Sequence, residues 1–138
     1  MPGKGKEKMK EFITILIILI LIFGGAYITQ KYLNTTTDEL IKEIEDFERK
    51  ARIANETEER EEIIEKSKDI KSRWKEIEKG WGIIVLHEEL DNIKTSIYKL
   101  SSNAEYGEFA DCIEEAQKLK FLVGHIKGKE KFSLINIF

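Results

Sequence analysis

Phe12-Ile13-Thr14-Ile15-Leu16-Ile17-Ile18-Leu19-Ile20-Leu21-Ile22-Phe23-Gly24-Gly25-Ala26-Tyr27-Ile28-Thr29 holds no charged residue, and the rest of the chain takes its meaning from that run. As a helix, about 18 residues rise about 27 Å, close to the ~30 Å thickness of a bilayer's hydrocarbon core, with every backbone amide and carbonyl paired inside the segment. Ile and Leu occupy all faces, so no polar stripe is left for water, and a buried helix of a soluble core is disfavoured. Residues 12–30 are therefore expected to be a transmembrane anchor in direct contact with membrane lipid. Tyr27 and Tyr32 fall where an amphipathic ring suits the far interface.

Towards the amino terminus, Lys4, Lys6, Lys8 and Lys10 stand against Glu7 and Glu11, a contribution of about +2 from residues 1–30. Only Lys31 follows the run closely, so the bias of basic residues keeps the amino terminus cytoplasmic and puts residues 31–138 on the extracytoplasmic side. Gly3-Lys4-Gly5-Lys6 is no phosphate-binding loop, because no strand precedes it and the spacing is wrong. A cleaved signal peptide competes with the anchor. Gly24-Gly25-Ala26 offers the small residues a signal peptidase reads, and cutting near Ala26 would release a secreted domain. The apolar run continues past Ala26 through Tyr27 and Ile28, and no Cys stands there to take a lipid, which favours the anchor.

The chain has 138 residues. About 108 residues follow the apolar run, which is one domain's worth and excludes a multidomain enzyme. With 36% charged and 41% hydrophobic residues and a single Pro, the composition suits amphipathic helices, not a β-sandwich, a collagen or a disordered tail. Cys112 alone can close no intrachain disulfide and build no thiolate zinc site. The net charge is −3. With the basic start set aside, about −5 belongs to the later residues; these would repel phosphate backbones, so nucleic acid is not an expected partner.

Beyond the anchor, periodicity predicts four helices. Thr36 with Glu39 three residues on has the form of a capping box, which predicts a helix start, and Leu40, Ile44, Phe47, Ala51 and Ala54 then form one apolar stripe. Asn55 with Glu58 offers a second cap, and the acidic run Glu56 to Glu62 suits the positive end of a new helix. The next stripe is Ile63, Ser67, Ile70, Trp74, Ile77 and Trp81. Its continuation fails, since the apolar positions reappear two residues out of phase at Leu86, Leu90, Ile93, Ile97 and Leu100, a rotation of about 200° on an unbroken helix. The chain must turn there, and Gly80 and Gly82, either side of Trp81, permit the left-handed conformation that ends helices. Ser101-Ser102-Asn103 predicts a loop near Gly107, followed by a last stripe at Phe109, Cys112, Ala116, Leu119, Val123 and Ile126, with Gly124 and Gly128 expected to break that helix. The expected fold is all-α: a transmembrane helix, then an antiparallel bundle of two helix hairpins.

One segment invites a catalytic reading. In His87-Glu88-Glu89-Leu90-Asp91, His87 and Asp91 lie four apart, the spacing of paired metal ligands on a helix, with Glu88 where a general base would sit. No third ligand stands at a motif spacing, whereas catalytic zinc takes three, so an exposed helix start is the simpler account and a metal-dependent hydrolase the alternative. His125 would complete a metal- or pH-sensing pair with His87 if the last two helices pack together, the basis of a second alternative, a sensor-like bundle for a small ligand or ion. Trp74 and Trp81 share a face and fit the core; Trp81 at a hairpin tip is otherwise a docking side chain for a partner or lipid headgroups. Cys112 fits a small buried core position. The tail Phe132-Ser133-Leu134-Ile135-Asn136-Ile137-Phe138 either folds over the bundle or docks a partner. Trp81, His87, Glu88, Asp91, His125 and Phe138 thus make up the expected partner or ligand surface, with no catalytic, cofactor or metal residue assigned.

A basic start, one apolar anchor, an acidic helical domain with tryptophans before His87-Glu88-Glu89-Leu90-Asp91-Asn92-Ile93, then Phe121-Leu122-Val123-Gly124-His125-Ile126 and the Ser133-Leu134 tail resembles a family of small, single-pass, clostridial-type membrane proteins known as a domain of unknown function. The likeness covers nearly the whole chain. In that family the segment after the second His usually looks like Ile-Pro-Glu, where this chain has Ile126-Lys127-Gly128. The resemblance implies a single-pass, outward-facing helical protein, encoded beside a multi-pass membrane partner, and transfers no activity or catalytic residue. The expected role is a non-catalytic interaction or assembly module working with another membrane or envelope protein, without a cofactor.

Overall fold

The computed structural model describes residues 3–54 and 58–137, without the side chains of 58–59 and 130–137. It contains four helices, α1 Lys4–Ile53, α2 Glu58–Trp81, α3 His87–Tyr106 and α4 Phe109–Ile137, and no strand among the described residues. Two compact units divide the chain, Met1–Tyr32 and Leu33–Phe138. In the first, the aliphatic residues from Phe12 to Phe23 are exposed on every face, and nothing in the most apolar 18-residue window of α1 is buried.

The second unit is a bundle whose neighbours can be traced by polar contacts. Along α1 and α2, Glu39 pairs with Arg73, Asp46 with Lys66, and Lys50 with Glu62, so residue numbers climb on one helix as they fall on the other. The same antiparallel order relates α2 to α3, through Arg60 with the Glu105 carbonyl and Glu78 with Lys94, and α3 to α4, through Glu89 with Lys129 and Ser96 with Glu115. Lys127 with Asp38 and Lys120 with Glu48 close the ring between α4 and α1. All-antiparallel neighbours with short connections are what an up-and-down four-helix bundle requires.

The core is where the stripes place it. Leu40, Ile44, Phe47 and Ala51 of α1 meet Ile63, Ile70, Trp74, Ile77 and Trp81 of α2, Leu90, Ile93, Ile97 and Leu100 of α3, and Cys112, Ala116, Leu119, Val123 and Ile126 of α4. Trp74 and Trp81 stand edge to face with ring centroids 5.6 Å apart, a geometry that adds roughly 0.5–1.5 kcal/mol to their area burial. The out-of-phase stripes are reconciled by a five-residue turn over 82–86.

Several local expectations are corrected. Thr36 starts no helix: it lies inside α1, where the amides it would cap are already paired, and its hydroxyl donates to the Leu33 carbonyl. Ser101-Ser102-Asn103 is no loop, because Ser101 and Ala104 are buried members of α3 and packing outweighs the turn preference of Ser and Asn. The helix ends instead at Gly107, with φ +77°, whose amide donates to the Ala104 carbonyl while Glu108 donates to that of Asn103. This paired pattern satisfies the last carbonyls and needs a left-handed residue. No other described residue has positive φ, so the turn after Trp81 is made without that conformation. Leu86 is 61% exposed and caps α3 in an extended conformation; Val85 takes the core position. Gly124 and Gly128 do not break α4, which runs to Ile137; Val123 and Ile126 anchor that stretch. The cap expected at Asn55 and the residue Phe138 lie outside the described residues.

Candidate functional site

The residues expected to form a surface divide into three places. Trp81 is not on the surface: it is fully buried, and its indole N–H donates to Thr36 Oγ1 at 2.8 Å. A buried indole N–H is stabilised by such an acceptor, and Thr36 provides it because its own hydroxyl hydrogen is directed to the Leu33 carbonyl; the indole N–H of Trp74, buried likewise, has no acceptor among the described residues. His87, Glu88 and Asp91 occupy the first turns of α3, with all three side chains exposed. His125 is exposed on α4 and stacks on Phe121, with centroids 6.1 Å apart and planes 21° from parallel; Phe121 itself is 72% exposed. Among the described residues, no three or more His, Cys, Asp or Glu side chains gather in a way that could hold a metal ion.

Two polar constructions escaped the sequence reading. Glu48, 8% exposed, accepts from Arg52 at 2.7 Å, Lys120 at 2.5 Å and Gln117 at 3.2 Å, tying α1 to α4. Burial pushes its carboxyl pKa up, but the hydrogen bonds from Lys120, Arg52 and Gln117 outweigh this and bring it down to about 2. The signal was present: Glu48 lies four residues after Ile44, on the flank of the apolar stripe, where a carboxylate needs partners.

The second construction is the α1/α2 seam. A cleft of about 410 Å³ is lined by Lys42, Glu43, Asp46, Lys66, Asp69 and Ile70. Burial raises the Glu43 carboxyl above its usual range, and Asp69 and Glu76 add to this against the opposing pull of Lys66. Lys66 also bonds Asp46, whose carboxyl is lowered by that bond first. The alternating signs make the seam a zipper between the helices. Cys112 is buried in the core, and desolvation pushes its thiol up to about 11, the opposite of what a nucleophile requires.

The fold defines the class: an all-helical bundle preceded by a long, exposed apolar helix. The chain belongs to the family whose model is described as "Domain of unknown function (DUF4363)", which matches residues 27–137 and so takes in every helix of the bundle. No curated protein and no solved structure matches it.

Proposed function

We propose that this protein is a single-pass, membrane-anchored helical module that presents its bundle on the outer face of the membrane and binds another envelope protein without performing chemistry. The observation that carries the reading is the contrast between the two units: aliphatic residues are exposed along residues 12–23, while in the bundle the stripes are closed against one another. An apolar surface of that length is stable in lipid and not in water. The lysines at 4, 6, 8 and 10 support an amino terminus held on the cytoplasmic side. The resemblance to small single-pass proteins encoded beside multi-pass ones supports a membrane protein as the partner.

The partner contact in this reading is the Phe121 and His125 pair, an exposed aromatic stack on rigid helix, the kind of side chain that dominates interface energetics. Cross-linking in intact cells followed by mass spectrometry tests it. The wild-type chain should yield one membrane partner, and Phe121→Ala should lose that adduct while melting unchanged. Gly24-Gly25-Ala26 keeps a second reading in view, in which the first unit is a signal sequence. The intact mass of the mature protein separates the two: retention of the residues before Ala26 supports the anchor, their loss the secreted form.

A further inference from the structure

We propose that the end of the bundle formed by the α2–α3 turn is a lipid-contacting surface, with Ile83 and Leu86 inserting into the membrane interface. The inference rests on the anchored reading above and adds a second attachment to it.

Chain connectivity identifies the end of the bundle to which the apolar run is attached. Tyr32 is the last residue of the first unit, and Thr36, four residues on, accepts the hydrogen bond from Trp81. Trp81 is the last residue of α2, so the turn over 82–86 sits at the end of the bundle where the chain arrives from the apolar run. The ion pairs of Asp38 with Lys127 and Glu89 with Lys129 bring the start of α3 and the late part of α4 to that same end.

What the turn exposes there is aliphatic. Ile83 is 89% exposed and Leu86 61% exposed, three positions apart in one turn, while the intervening Val85 is buried in the core. Isolated apolar side chains on a soluble surface need no explanation, but a pair projecting from a loop held rigidly by Trp81 does. The backbone bonds of Ile84 and Val85 to the Trp81 carbonyl, at 2.9 and 2.7 Å, fix that loop. Such a placement suits the acyl–headgroup boundary, where apolar side chains are gained by lipid and the loop's polar backbone stays hydrated.

The test uses the full chain in vesicles of phosphatidylcholine and phosphatidylglycerol, with nitroxide labels at Ile17→Cys, Ile83→Cys, Leu86→Cys or Tyr106→Cys and the parent chain as background. Relaxation by oxygen, which enters lipid, is compared with relaxation by a water-soluble nickel chelate. Labels at 83 and 86 should favour oxygen several-fold over the label at 106, at the opposite end of the bundle, and the label at 17 should favour it most. If 17 favours oxygen while 83 and 86 match 106, the anchor stands and the lipid-contacting turn is overturned. If 17 itself reports water, the anchored reading fails and this inference falls with it. Protection of 83 and 86 from both reagents would mean that a second copy of the chain covers them, which also overturns it.

Discussion

Thr36 joins three helical turns through one oxygen, giving its hydrogen to Leu33 and accepting that of Trp81. Thr36→Val keeps the shape and leaves a buried indole N–H unpaired, which costs roughly 1–3 kcal/mol. Thermal unfolding in detergent should show the loss, and much less of it when Trp81→Phe has already removed the donor; equal losses in both backgrounds would mean the bond contributes nothing. Glu48 makes a prediction in pH. Its carboxyl lies below the ordinary value of 4.5, at about 2, so the folded state binds the proton less readily than the unfolded one. Its contribution is present in full above about pH 4.5 and is lost as pH falls towards about 2. Glu48→Gln should lower stability at neutral pH by roughly 1–3 kcal/mol and flatten the acid limb of the melting temperature against pH. An acid limb as steep as the parent's would show that other carboxylates govern it.

At the scale of elements, glycine separates what the sequence disclosed from what it concealed. Gly107 has φ +77° and closes α3, whereas Gly124 lies inside α4 with nothing within 4 Å of the place a Cβ would occupy. Gly107→Ala should therefore cost about 1–2 kcal/mol. Gly124→Ala should stabilise by about 0.5–1 kcal/mol, since it removes backbone freedom only from the unfolded chain. Chemical denaturation of the pair checks the opposite signs. By sequence alone both glycines look like breakers. The stripes were legible because burial selects apolar residues at helical spacing, and the phase jump after Trp81 correctly required a turn. Element ends were not legible: Ser101 and Thr36 carry turn and cap preferences of about 1 kcal/mol or less, which packing of Leu100, Ala104 and Leu33 overrides. The site was less legible still. The Glu48 cluster draws Gln117 and Lys120 from about seventy residues away, and no local spacing announces such a contact.

At the scale of the molecule, the division at Tyr32 and Leu33 predicts that residues 33–138 fold without the first unit. Residues 33–138 expressed alone should remain in the aqueous fraction, melt cooperatively and keep the blue-shifted emission of enclosed tryptophans, while the full chain should resist extraction from membranes by alkaline carbonate. A bundle that aggregates without residues 1–32 would contradict this.

The enclosed thiol of Cys112 carries a practical corollary. A sulfhydryl so shielded reacts with disulfide reagents only during moments when the helices part, and the rate of that reaction times those openings. The molecule thus carries its own clock for breathing, readable in a native membrane where calorimetry cannot be applied, and a partner that clasps the bundle would make it run slow.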